Sequence, residues 1–135
     1  MKTLLLLLIS FCSYSQSLTV THVKETMYGF DIRYKQKEGI QEVHYIAGYA
    51  TGLNSDLLSL SAGGRHGAKS YFGAQFMVSA YRFENKFDQT IVSFDPIVGY
   101  KFKRIFIEGG VRARIINFGE ATQVKSVPFL TVGLR

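Results

Sequence analysis

Three histidines, ten carboxylates and a good supply of serines are the residues from which this chain could build chemistry. Acyl or phosphoryl chemistry at a serine needs a histidine to take its proton and a carboxylate to orient that histidine. None of His22, His44 and His66 stands in a His-x-Ser-Asn context or another local nucleophile signature. Glu42 and His44, two positions apart, make the best fragment; on a strand they share a face, and a buried hydrogen bond between them is the expected role. The histidines are too far apart in sequence, and too poor in neighbouring Cys or ligand-spaced acids, for a metal centre, so neither metal nor cofactor is expected. Gly63, Gly64 and Gly67 flank Arg65 and His66 without the spacing of a phosphate loop and read as a flexible turn.

The charged residues recur at every second position, opposite large apolar ones. Over Met27–Lys35, Tyr28, Phe30, Ile32 and Tyr34 share one face and Gly29, Asp31, Arg33 and Lys35 the other. Over Glu42–Leu53, Val43, Tyr45, Ala47, Tyr49 and Leu53 oppose Glu42, His44, Gly48 and Gly52; over Ile105–Asn117, Ile105, Ile107, Val111 and Ile115 oppose Glu108, Gly110, Arg112 and Arg114. Residues two apart on a helix would sit about 200° from each other, so this alternation specifies strands. Leu57–Gly64 and Thr90–Lys103 continue it, the second setting Val92, Phe94, Val98, Tyr100 and Phe102 against Ser93, Asp95, Gly99 and Lys101. Ser70–Phe83 is apolar on both faces, with Phe72, Ala74, Phe76, Val78 and Ala80 as the outer set. In Val124–Arg135, Pro128 is expected at a bulge or a strand end, because it lacks a ladder donor.

Strands apolar on one face, with no apolar run beyond the N-terminus long enough for a spanning helix, fit a transmembrane β-barrel, whose backbone is fully paired inside the protein. Single-chain barrels of this kind have even strand numbers. Leu18–Lys24 is therefore needed as a first strand, giving an all-β, eight-stranded antiparallel up-and-down barrel. Connections are expected at Lys24–Thr26, Asn54–Asp56, Glu84–Gln89 and Phe118–Gln123 on the outer side. On the inner side they fall at Gln36–Gln41, Arg65–Lys69 and Lys103/Arg104. The interior of an eight-stranded barrel is only wide enough for side chains. Asp31, Arg33, Glu42, His44, Asp95, Lys101, Glu108, Arg112 and Arg114 are accordingly expected to fill the lumen as paired charges rather than to line an ion path. Basic Lys35, Lys37, Arg65, Lys69, Lys103 and Arg104 would collect at the inner rim, and acidic Glu25, Asp56, Glu84, Asp88 and Glu120 at the outer one.

The N-terminus has a different character. Lys2, the apolar run Leu4–Phe11 and the small residues Ser13 and Ser15 form the three regions of a secretory signal peptide over residues 1–15, leaving 16–135 as one barrel domain. Eight apolar residues are too few to span a bilayer. The single cysteine, Cys12, lies within that leader behind bulky Phe11, so neither a disulfide nor lipidation is expected. The net charge of +6 is spread without any basic block, which excludes a nucleic-acid partner on this signal.

The stretches Asp95–Arg114 (DPIVGYKFKRIFIEGGVRAR), Gly64–Phe76 (GRHGAKSYFGAQF) and Val132–Arg135 (VGLR) resemble the small OmpA/OmpX-type outer-membrane β-barrel family, and the Ser-Tyr-Ser-Gln junction resembles leaders common in Bacteroidota. The chain departs from that family at its last residues, Leu134 and Arg135, where an aromatic usually helps the assembly machinery recognise the closing strand. The resemblance implies the outer membrane of a Gram-negative bacterium, reached by Sec export. Lipopolysaccharide and other outer-membrane lipids are the implied partners, with the barrel-assembly machinery during biogenesis, and the protein is expected to be a monomer. It implies a non-enzymatic structural, envelope or surface-interaction role. A membrane-embedded lipid A-modifying enzyme and a secreted soluble ligand-binding barrel are the alternatives.

Overall fold

Alternation gives each segment two chemically distinct faces, and eight such segments satisfy both by pairing edge to edge until the sheet closes. The structure is a computed structural model describing residues 14–23, 25–116 and 123–134. Its strands are β1 (Tyr14–His22), β2 (Thr26–Glu38), β3 (Gln41–Thr51), β4 (Ser55–Gly67), β5 (Ser70–Phe83), β6 (Lys86–Phe102), β7 (Ile105–Ile116) and β8 (Gln123–Leu134). Each pairs antiparallel with its sequence neighbours, and β8 returns to β1, so the order is that of an up-and-down closed barrel.

The register also fixes the bore. Ser15, Arg33, Ile46, Ser61, Met77, Ser93, Arg114 and Lys125 form one row of cross-strand partners. Continued across the β8–β1 register, the row reaches β1 about ten residues from where it began, the stagger that lets tilted strands close. A bore of this size is filled by side chains alone.

The expected first strand keeps its phase, with Leu18 and Val20 outward, but β1 begins and ends earlier than Leu18–Lys24. Tyr14 and Ser15 pair with Tyr34 and Arg33, two residues on the leader side of the expected cut. The rest of the expected signal peptide, with Cys12, lies outside the described residues, as do Lys24 and 117–122. The Lys103/Arg104 turn stands where expected, whereas three other connections are shorter: β2 extends through Glu38, β4 through Gly67, so that Gly63, Gly64 and Gly67 belong to a strand and not to a flexible turn, and β6 starts at Lys86 rather than after Gln89. Glu84 and Asn85 alone join β5 to β6, both at positive φ (50° and 62°), matching the twist of the flanking strands. A register shift beyond Tyr81/Arg82 absorbs the extra residue. Pro128 interrupts nothing in the β7–β8 ladder, where it faces Val111; the β1–β8 ladder ends one residue away at Thr21↔Phe129, so the proline terminates one ladder of a continuing strand.

The two ends of the barrel differ. Met27, Ala50, Leu57, Tyr81 and Ile91 form a buried apolar cluster on the β2–β6 side of the interior at the end away from the termini, with Val23 and Phe83 packed on it. Above it the turns are tied together: the Glu25 carboxylate accepts from the Asn54 amide at 2.9 Å and from the Ser55 hydroxyl, and the Glu84 amide donates to the Asn54 carbonyl at 2.9 Å. Gly52 leaves room for this carboxylate, since a Cβ there would collide with it. The Ser55 and Asn54 hydrogen bonds hold the Glu25 carboxyl below its usual range.

Two outcomes follow for the turns. Left-handed Glu84 carries a strain that Asn tolerates better and Gly avoids, so the double change E84N and N85G is expected to stabilise the barrel by about 1 kcal/mol in urea unfolding. The Glu25 clasp has a depressed folded pKa; its stabilisation is complete above the unfolded carboxyl value and is lost as pH falls through the folded one. Wild-type protein should therefore lose its Asn54 amide chemical shift on acidification below about pH 4, whereas E25Q should show no such acid transition.

Candidate functional site

Among the described residues the interior that assembles polar groups is the lumen, and the pleat delivers them there. Asp31 and Arg33 come from β2, Glu42 and His44 from β3, Asp95 and Lys101 from β6, and Glu108, Arg112 and Arg114 from β7. All nine face inward; Asp31 is half-buried and the others are buried. Three further groups that the sequence reading left out join them. Arg65, assigned to the inner rim as part of a turn, lies instead within β4 and is 2 % exposed. Its parity with Ser59 and Ser61 was the available signal, obscured by the glycines around it. Tyr71 and Gln75 were hidden in the segment that is apolar on both faces.

These residues form one continuous network. Glu108 is its centre: Arg33 Nη1 donates to Oε1 at 2.9 Å, Arg65 Nε to Oε2 at 2.9 Å, Arg65 Nη2 to Oε1 at 3.2 Å, and the Tyr71 hydroxyl to Oε2 at 3.1 Å. Towards the termini, Arg33 Nη1 approaches His44 Nδ1 at 3.5 Å, His44 Nε2 bonds Glu42 Oε2 at 2.8 Å, and Lys101 caps the other Glu42 oxygen. These partners put the imidazole proton on Nε2. In the other direction Arg65 Nη2 donates to Gln75 Oε1 at 2.8 Å, and Gln75 Nε2 to Asp95 Oδ2 at 3.0 Å. Arg112 Nε also donates to Asp95 Oδ2 at 3.0 Å, and Arg112 and Arg114 both donate to Thr21 Oγ1, at 3.2 and 3.1 Å.

A second device recurs three times. Tyr71, Phe106 and Phe129 each lie over the glycine directly opposite on the next strand, Gly99, Gly133 and Gly110 in turn. A Cβ at Gly99 or Gly133 would collide with that ring. Each ring in turn carries a cation on its inner face: Lys101 at 5.0 Å from Tyr71, Arg33 at 4.7 Å from Phe106 and Arg112 at 4.7 Å from Phe129. The glycine lets the ring lie flat against the wall, and the flat ring supports a buried charge.

A mid-lumen cavity of about 30 Å³, bordered by Asp31, Arg33, Gln75, Glu108 and Arg112, has space for roughly two water molecules. Both nitrogens of His44 are engaged by Glu42 and Arg33. His22 faces Thr26 at 3.4 Å and His66 packs its ring on Phe72, so the three imidazoles do not converge. Among the described residues no cluster of three or more His, Cys, Asp or Glu could hold a metal ion. Comparison with family models, with the curated proteins and with the solved structures gives no match.

Removing the central carboxylate leaves two guanidiniums buried without it. E108L is therefore expected to destabilise the barrel by about 3–5 kcal/mol, against about 1 kcal/mol for Y71F, which removes one neutral donor. Urea titration of detergent-folded protein measures both; equal losses would show that Glu108 is not the centre of the network.

Proposed function

We propose that this chain is an outer-membrane β-barrel protein of a Gram-negative bacterium, with a filled lumen and a non-enzymatic structural or surface-interaction role in the envelope. The observation that carries this reading is the inverted polarity of the barrel. Leu18, Phe30, Leu60, Phe76, Val98 and Val132 all point outward, Leu60 and Phe76 each 66 % exposed, while the charges are inside. Between Asp56 and Arg82 at one end and Glu38 and His66 at the other, the described outward positions of the strands carry no charge. Outward aromatics sit side by side, as in Tyr34–Tyr45 at 6.2 Å and Phe76–Phe94 at 5.0 Å. A soluble barrel exposes polar residues and keeps its apolar ones inside, whereas lipid requires the reverse.

Outer-membrane lipids and lipopolysaccharide are then the natural surroundings, and the assembly machinery the partner in biogenesis. Lys37, Lys69, Lys103 and Arg104 lie at the end that holds the termini, where each basic group near anionic headgroups would contribute roughly 1 kcal/mol. Arg65, withdrawn into the lumen, does not belong to that set. At the opposite rim Asp56 is engaged by Arg82 and Tyr49, which reduces its free acidity. Among the described residues the mid-lumen cavity is bordered by paired charges, which supports a structural protein over a lipid A-modifying enzyme.

Cell fractionation with gels of heated and unheated samples tests the address: the expected result is an outer-membrane band whose mobility changes on heating, and a soluble periplasmic or secreted band would overturn the reading. Lipid A should be chemically identical with and without the protein. L60R, placing a charge on the outward face, should cost about 2–4 kcal/mol in lipid vesicles if it lies at mid-bilayer depth, and nothing measurable if that face meets water.

A further inference from the structure

Among the described residues the charges of the lumen do not balance, and the imbalance has an address. Arg33, Arg65, Lys101, Arg112 and Arg114 face Asp31, Glu42, Asp95 and Glu108. Lys101 has Glu42, Arg33 and Arg65 share Glu108 with Asp31 beside Arg33, and Arg112 has Asp95. Arg114, 1 % exposed, has no carboxylate partner among the described residues. Its Nη2 reaches Thr21, while Nε and Nη1 have no hydrogen-bond partner there. A guanidinium buried in this state is strongly unfavourable, and Nε or Nη1 together with the second Nη2 N–H offers a planar fork suited to a carboxylate or phosphate.

The groups flanking it are also donors. Arg114 is paired across the ladders with Ser93 on β6 and Lys125 on β8, and directly opposite residues on antiparallel strands point to the same face. Ser93 is 1 % exposed and its hydroxyl has no partner. Lys125 is exposed, at the end of the lumen away from the chain termini. Asp95 accepts from both Gln75 and Arg112 through Oδ2, and its Oδ1 has no hydrogen-bond partner among the described residues.

We infer that this row is an oxyanion site, in which Arg114 and Ser93 hold a phosphate group at the far end of the lumen and Lys125 draws it in from the mouth. The ligand class is a phosphate oxyanion, free or as the monoester of a lipid headgroup. The site stands on the charge distribution inside the barrel and holds whichever solvent surrounds the outer wall.

The test uses the full barrel folded in phosphate-free zwitterionic micelles, titrated with inorganic phosphate against chloride at constant ionic strength. Phosphate is expected to raise the melting temperature saturably, by mass action on the folded state, and to shift the Arg114 Nε–H resonance. S93A and K125Q should each weaken the apparent affinity several-fold, and H66Q, on the outer wall against Phe72, should leave it unchanged. R114M, which deletes an unpaired buried charge, should fold and lose the response. A second arm replaces inorganic phosphate with phosphatidic acid in the micelle: a response there identifies the lipid headgroup as a source, and a response to inorganic phosphate alone identifies the free ion. The inference is overturned if phosphate acts no better than chloride, or if R114M, S93A and K125Q all respond like wild type. It is also overturned if Asp95 or a carboxylate of the chain's own Glu120 neutralises Arg114. In that case phosphate has no effect, and D95N or E120Q alone shifts the Arg114 resonance.

Discussion

One carboxylate holds four strands across the bore. Glu108 on β7 accepts from Arg33 on β2, Arg65 on β4 and Tyr71 on β5, none of which is its neighbour in the sheet. The backbone ladders define a closed surface; these bonds span its interior and fix how the opposite walls stand relative to each other. The requirement is electrostatic before it is geometric. Two arginines projected into a narrow lumen have no water to solvate them, so a carboxylate must lie between them, and every other buried polar group then arranges itself around what that carboxylate leaves unused.

The aromatic–glycine pairs make this density possible. A bore that only side chains can fill has no space for a guanidinium and a freely standing phenyl ring at the same height. Where Tyr71, Phe106 and Phe129 lie down over Gly99, Gly133 and Gly110, the ring becomes part of the wall, and the cation takes the centre. A further division runs along the axis. Apolar Met27, Leu57, Tyr81 and Ile91 occupy one side of the bore at the end away from the termini, and the polar network does not continue there. The outer wall and the lumen obey opposite rules, apolar against the surroundings and charged within, and the same two-residue period writes both.

That period made much of the molecule legible in advance. The outward sets over Met27–Lys35, Glu42–Leu53 and Ile105–Ile115, the strand number and the Lys103/Arg104 turn follow from side chains alternating about the pleat, a property of adjacent residues that a linear sequence contains in full. Strand ends were read less well, because they depend on what the neighbour offers. β1 starts at Tyr14 because β2 is long enough to pair with it, and β6 starts at Lys86 because a Glu-Asn pair adopts the left-handed turn that Asn-Gly would have announced more plainly. Ser70–Phe83 concealed Tyr71 and Gln75 for a different reason: its outer set, Phe72, Phe76 and Val78, does face outward, but among the apolar residues of the opposite face the two hydrogen-bonding groups did not stand out.

The sequence alone determined that charges on β2, β3, β6 and β7 share an interior, since inward parity is a local property. Only the tertiary structure decided which charge meets which. Glu108 and Arg65 are 43 residues apart and Arg114 and Thr21 are 93 apart, and their meeting depends on the stagger at which the eighth strand rejoins the first. That stagger is a property of closure, summed over every ladder, and no single segment encodes it; it gives Glu108 two arginines and leaves Arg114 with a hydroxyl.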